Sequence, residues 1–171
     1  MDIQELLRRA ERDCRPVFES LEALELENTR RVLDALHAED IAARHFAPTT
    51  GYGYDDIGRD ALERVFARLF GCESAIVRPS IACGTAALSL CLFGLLRPGE
   101  HLLSATGTPY DTMETVIGLR GDAVGSLKEM GVEYSQVEMK ENQTALDAAA
   151  VLSALRENTR VVLIQRSRGY A

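Results

Sequence analysis

The sequence predicts an α/β domain with a largely parallel sheet, entered through a helical arm. Two patterns carry that prediction. Beyond Gly71 short apolar runs alternate with helical segments, the order that builds a sheet with helices on both faces. Before residue 47 the chain holds no glycine and is dense in Leu, Glu, Arg and Ala, as a helix requires. With 171 residues, 46% of them hydrophobic, there is enough apolar material for a core of ordinary size.

Taken in order, the arm covers residues 1–46, and Leu26, Thr29, Leu33 and Leu36 fall on one helical face. Pro16 predicts a break between a helix at 3–14 and a second at 17–38, because proline suits only a helix's first turn. A short third turn follows Glu39. The run Pro48–Gly58 has no periodicity and reads as a loop displaying Tyr52 and Tyr54. Leu62, Val65, Phe66, Leu69 and Phe70 then repeat at helical spacing, and Gly71 ends that helix. Next come a strand at Ala75–Val77, a helix at Thr85–Leu96, a strand at His101–Ser104 and a helix near Thr112–Leu119. A strand at Tyr134–Val137, a helix carrying Ala148, Val151, Leu152 and Leu155 on one face, and a strand at Val161–Gln165 complete the series. The division expected is an arm at 1–46 and part of an α/β domain at 47–171.

Composition excludes some partners. Asp and Glu number 26 against 19 Lys and Arg, a formal charge of −7, so no cation surplus exists to neutralise a phosphate backbone, and nucleic acid is not expected. The longest apolar stretch, Ala86–Leu96, is about half of the ~20 residues a membrane span needs. The first residues mix acids and bases without an apolar signal core, which places the protein in the cytoplasm. Cys14, Cys72, Cys83 and Cys91 lack paired spacing and read as reduced. The last three stand in or beside apolar runs, where a thiol behaves as a small hydrophobe.

In open parallel sheets ligands gather at the carboxyl ends of strands, so the post-strand segments matter most. Cys83-Gly84-Thr85 precedes an apolar helix, whose unpaired N–H groups and dipole favour an anion; a threonine cap and a glycine turn explain the same residues without a ligand. Tyr110, in Thr-Pro-Tyr-Asp-Thr, is either a ring for a planar cofactor or a half-buried loop tyrosine, and Asp111 can cap the next helix. Arg78, Arg166 and Arg168 lie near strand ends, where they can pair a carboxylate or remain solvated. His37, His45 and His101 are scattered and read as surface or structural. No triphosphate loop, dinucleotide fingerprint, zinc spacing or serine-nucleophile elbow occurs, so no metal site is expected.

Five segments together carry more: Gly51 to Asp60 (Gly-Tyr-Gly-Tyr-Asp-Asp-Ile-Gly-Arg-Asp), Cys83-Gly84-Thr85, Leu95 to Gly99, Thr106 to Thr112, and Ile164 to Tyr170. In this order they resemble the methionine gamma-lyase-related, or aluminium-resistance-type, family of pyridoxal-phosphate enzymes, within the aspartate-aminotransferase fold. The resemblance implies a carbon–sulfur lyase of the cystathionine and methionine type that uses pyridoxal 5′-phosphate on a sulfur amino acid. Cys83, Gly84 and Thr85 would hold the phosphate, and Tyr110 would stack on the ring. Tyr52, Tyr54 and Arg59 would serve the partner subunit's site in a dimer or tetramer, with the arm packed on the other subunit. Gln165 and Arg166 would close the substrate pocket.

Two departures from the family pattern appear. Cys83 and Ala86 stand where it more often reads Ser and His. The family's Schiff-base lysine and the acid that pairs with the pyridine nitrogen come later than Ala171, and neither Lys128 nor Lys140 matches that lysine. The sequence thus reads as the N-terminal portion of such an enzyme, inactive alone, with an open sheet edge at Val161–Gln165 for more chain or a second polypeptide carrying the C-terminal half. The alternatives are a non-catalytic dimerising module and an anion-binding α/β domain.

Overall fold

The computed structural model describes residues 2–50, 52, 54, 56–121, 124–140 and 145–167. Gly51, Gly53 and Asp55 of the tyrosine loop, and Arg168, Gly169 and Tyr170 of the last motif, lie outside the described residues. Two compact units result, Met1–Pro79 and Ser80–Ala171.

In the first unit helix α1 (Ile3–Ala38) runs unbroken for 36 residues, so the break expected at Pro16 is absent. Proline removes one N–H and costs about 3 kcal/mol inside a helix. The pairs Arg9–Asp13 and Arg15–Glu19, one turn apart, brace the turns on either side, and Asp2 caps the start through Gln4 N–H. Replacing Pro16 by alanine should therefore slow amide exchange in the neighbouring turns roughly 10- to 100-fold, the equivalent of about 1.4–3 kcal/mol. Unchanged exchange would mean that the helix carries no such penalty.

The face through Leu26, Leu33 and Leu36 is not the buried one, since Leu26 and Leu33 are exposed and Ala35 is the residue covered. A short 3-10 turn (Ala43–Phe46) follows, as expected after Glu39, and then α2 (Ile57–Phe70). Asp56 caps α2 by accepting Arg59 N–H, Thr49 hydroxyl donates to the same carboxylate at 2.9 Å, and Gly71 ends the helix in the left-handed conformation. The Arg59 N–H bond first, then the Thr49 bond, holds the Asp56 carboxyl below its usual range. Glu39, at the end of α1, accepts from Arg64 at 2.9 Å and Arg68 at 2.8 Å, which ties the two helices and lowers the Glu39 pKa. Ala75–Val77 is not a strand. It pairs with no described strand, Val77 N–H goes to Glu63 instead, and Ile76 is exposed.

The second unit is the α/β part, with elements α3 (Gly84–Leu95), β1 (His101–Ser104), α4 (Asp111–Ile117), β2 (Glu133–Gln136), α5 (Ala148–Ala154) and β3 (Thr159–Leu163). The sheet is parallel throughout, in the order β2-β1-β3, with Leu102 opposite Tyr134 on one side and Val161 on the other. Side chains alternate across a strand, so Leu102 enters one core with Leu92, Met113, Ile117 and Leu127, while Leu103 enters another with Ala105 and Val151. Helices thus cover both faces of β1, whose four residues are all buried, and β3 is an edge strand. The four cysteines are free and exposed, so Cys72, Cys83 and Cys91 are not the buried small hydrophobes their apolar neighbours suggest. No described helix is long and apolar enough to cross a membrane.

Candidate functional site

The carboxyl ends of β1 and β3 and the first turns of α3 and α4 meet at a cluster of hydroxyls, amides and one phenol. Cys83, extended, is the N-cap of α3: its Sγ accepts Ala86 N–H at 3.4 Å and its carbonyl accepts Ala87 N–H at 3.1 Å. The N–H groups of Gly84 and Thr85 find no acceptor among the described residues. Thr85 is therefore not the cap, and Gly84, without a positive φ, supplies no tight turn. A Cβ at Gly84 would meet nothing within 4 Å, so the space beside that Cα is open.

Thr85 Oγ1 lies 2.7 Å from the Tyr110 hydroxyl and 3.0 Å from Thr112 Oγ1. Tyr110 stands immediately before α4, its ring half-buried against the core of Leu92 and Met113. Its N–H donates to Gln165 Oε1 at 3.2 Å, while Gln165 donates its own N–H to Thr106 Oγ1 at 3.1 Å and its Nε2 to Ser167 O at 2.9 Å. Cys83, Gly84, Thr85, Tyr110 and Gln165 are thus drawn together across about 80 residues of sequence. Asp111 is the first residue of α4 rather than its cap, and its carboxylate accepts Thr112 N–H at 2.8 Å. Beside this cluster Tyr134 donates to Gln136, which donates to Thr108 at 2.9 Å and Glu138 at 2.7 Å; burial pushes the Tyr134 phenol up.

Arg166 is exposed, Arg78 is taken by Glu63, and Arg168 lies outside the described residues. Tyr52 and Tyr54 are 83% and 85% exposed, and Arg59 pairs with the Asp56 carboxylate at 3.2 Å. Thr112 and Thr106 were not singled out by the sequence. Their only signal is a hydroxyl recurring in Thr106-Gly-Thr108-Pro-Tyr110-Asp-Thr112, a pattern with meaning only once α3 lies alongside. Among the described residues no three His, Cys, Asp or Glu side chains gather as metal ligands.

Two free amides at the positive end of a 12-residue helix, with neutral hydroxyls beside them, make a donor set suited to an anion such as a phosphate ester. Thr85 Oγ1 has one proton and two lone pairs, so its two contacts leave one position for a ligand.

Comparison with known proteins gives consistent matches. The profile of the methionine gamma-lyase family matches residues 3–171. The uncharacterized protein YnbB of Bacillus subtilis (strain 168) is 44% identical over 172 residues, covering 98% of this chain and 41% of that protein. A Listeria innocua structure, described as a candidate cystathionine beta-lyase involved in aluminium resistance, superposes with a TM-score of 0.93 at 44% identity, over 100% of this chain and 42% of that one. A carbon-sulfur lyase involved in aluminium resistance from Clostridium novyi NT gives a TM-score of 0.88 at 44% identity, over 96% and 40%. The chain spans about two fifths of the length of these relatives.

Proposed function

The chain belongs to the methionine gamma-lyase family, and on that premise we propose that it is the cofactor-binding N-terminal part of a pyridoxal-phosphate-dependent carbon–sulfur lyase acting on a sulfur amino acid. The observation that carries this reading is the open pair of amides on Gly84 and Thr85, with Tyr110 a hydrogen bond away from Thr85. The fold proposed for the whole protein is the pyridoxal-phosphate transferase fold of the aspartate-aminotransferase type, working in the cytoplasm as a dimer or tetramer.

When bound, the coenzyme supplies an electron sink beside the substrate's α-carbon. Gly84 and Thr85 would bind its phosphate through their N–H groups, and Thr85 Oγ1 would add a hydroxyl; Cys83 contributes its cap, not a hydroxyl. Tyr110 would lay its ring on the pyridine, its backbone fixed by Gln165. Gln165 and Arg166 would border the substrate. Tyr52, Tyr54 and Arg59 would serve the site of a second copy, and the Asp56 carboxylate sets the direction of Arg59. Leu88, Leu90 and Leu95 of α3 and Val162 and Ile164 of the β3 edge are exposed. These surfaces would receive the part of the fold that the relatives carry beyond the matched two fifths, in the same polypeptide or in a second one.

The test uses pyridoxamine 5′-phosphate, which cannot condense with Lys128 or Lys140, and reads tyrosine fluorescence, the chain having five tyrosines and no tryptophan. Quenching and a higher melting temperature at millimolar ligand are expected, and pyridoxamine without the phosphate should give neither. Gly84→Pro removes one N–H at the first helical position, where proline is well tolerated, and the extended Cys83 before it suits proline too. That variant should keep its helix and weaken binding about 10-fold or more, the worth of one charge-assisted hydrogen bond. Equal affinity in Gly84→Pro, or no response to the phosphate, would overturn the site; assembly without any ligand response would favour a non-catalytic module.

A further inference from the structure

Three hydroxyls meet beside the unpaired amides of α3, and their protons can be counted. Thr85 Oγ1 stands 2.7 Å from the Tyr110 hydroxyl and 3.0 Å from Thr112 Oγ1, and in each contact either oxygen can be the donor. Among the described residues the Tyr110 hydroxyl and Thr112 Oγ1 make no other hydrogen bond, so three protons serve two contacts and one is left over. If Thr85 donates to Tyr110, the spare proton is on Tyr110; if it donates to Thr112, the spare proton is on Thr112. Only when Tyr110 and Thr112 both donate to Thr85 is the Thr85 proton itself the spare one. With no ligand the three arrangements satisfy equal numbers of bonds. An anion on the N–H groups of Gly84 and Thr85 breaks the tie, because Thr85 carries its hydroxyl on the same residue as one of those amides.

We infer that Thr112 is a positioning residue for the coenzyme phosphate: together with Tyr110 it donates into Thr85 Oγ1 and so reserves the single Thr85 proton for the anion. The surrounding contacts hold the donors in place. Tyr110 N–H is fixed by Gln165 Oε1 at 3.2 Å and the Tyr110 ring packs on the core of Leu92 and Met113, while Thr112 rides on the first turn of α4, which packs beside α3. Each bond that Thr85 accepts polarises its O–H and strengthens what that O–H donates. The arrangement takes a ligand that accepts a proton, since a ligand that offers one meets an oxygen whose two lone pairs are filled. In the same state the Tyr110 proton is committed to Thr85, so loading the anion fixes the direction of the phenol O–H. Thr112 acts through Thr85 and touches neither coenzyme nor substrate.

This rests on the anion site proposed above, and its test separates the two. The full chain, labelled at the tyrosine ζ carbons, is titrated with inorganic phosphate and followed by nuclear magnetic resonance, with Tyr110→Phe identifying the Tyr110 signal. Thr112→Val, of nearly the same shape without the hydroxyl, should keep its circular dichroism and weaken phosphate binding about 3-fold, and Thr112→Ser should restore the parent affinity. In a Thr85→Val background there is no hydroxyl left to orient, so Thr112→Val should change nothing, whereas a role in packing α4 would cost the same in both backgrounds. Phosphate should move the Tyr110 signal in the parent and not in Thr85→Val. A parent that does not respond to phosphate would overturn the inference together with the site. A responding parent whose affinity Thr112→Val leaves unchanged, a loss that persists in the Thr85→Val background, or a Tyr110 signal that moves equally without the Thr85 hydroxyl would overturn the inference alone.

Discussion

Replacing His101 by alanine is expected to destabilise the Ser80–Ala171 unit by about 3–5 kcal/mol, enough to unfold a marginal domain. His101 opens the central strand and is fully buried. Its Nδ1 lies 2.8 Å from Thr159 Oγ1 on β3 and its Nε2 lies 2.8 Å from Ser135 Oγ on β2, so one ring bridges all three strands. Alanine would leave a void and strand two hydroxyls, whereas asparagine, able to keep one bond, should cost less. The same ring sets the pH response. Burial lowers its pKa below 6.5, helped by Arg156 and opposed by Glu133. Neutral imidazole gives one donor and one acceptor; protonated, it must donate to both hydroxyls. A depressed folded pKa means that the contribution is complete above about pH 6.5 and is lost as pH falls toward the folded value. In the first unit the lowered groups are the Glu27, Glu39 and Asp56 carboxyls, so its acid loss should begin only below about pH 4.5. Amide exchange from pH 7 to pH 5 should show the sheet unit loosening first, and His101→Phe should abolish that difference. Simultaneous loosening of both units would refute the assignment.

The core of this architecture was legible because its signals are local. The alternation after Gly71 located β1, β2 and β3 within a few residues, and the stripe from Leu62 to Phe70 located α2. What misled were signals whose meaning depends on neighbours. Ala75–Val77 has strand composition but pairs with no described strand. Pro16 is a breaker by rule, yet the helix formers and ion pairs around it outweigh one lost hydrogen bond. Helix α3 is apolar nearly all round, which usually means burial, but of its twelve residues only Leu92 is buried here. At the site, Tyr110 and Gln165 follow β1 and β3 and so share one end of the parallel sheet, whereas Thr85 reaches Tyr110 through α3, which no described strand precedes. Thr112 and Thr106 join through space, with no spacing that announces them. His101, read from sequence only as surface or structural, is structural, and the bridge it makes needs the register of both neighbouring strands.

A second large effect is expected from the smallest of changes, Gly58→Ala. Gly58 lies in the first turn of α2, next to Arg59 and two residues after the Asp56 cap, with ordinary helical backbone. An added Cβ would fall 2.1 Å from the carbonyl oxygen of His45 and 3.2 Å from its carbonyl carbon. Both are backbone atoms of the 3-10 turn, itself held by Ala42 N–H donating to His45 Nδ1 at 3.0 Å, so no flexible tip can swing aside. The turn must leave α2, opening a space lined by Leu36, Ile41, Phe46, Leu62 and Val65. Alanine gains about 1 kcal/mol of helix propensity over glycine, while forcing backbone apart costs about 3 kcal/mol or more. The net result should be a loss of at least about 2 kcal/mol in the Met1–Pro79 unit, read as a lower urea midpoint with the slope unchanged. Gly94→Ala provides the contrast. Gly94 lies inside α3 with nothing within 4 Å of its Cβ position, so the same exchange should stabilise by about 0.5–1 kcal/mol. Because the crowding lies in the Met1–Pro79 unit, Gly58→Ala should leave pyridoxamine 5′-phosphate binding to the Ser80–Ala171 unit unchanged. Equal urea midpoints for Gly58→Ala and the parent would show that α2 and the turn are not in contact there.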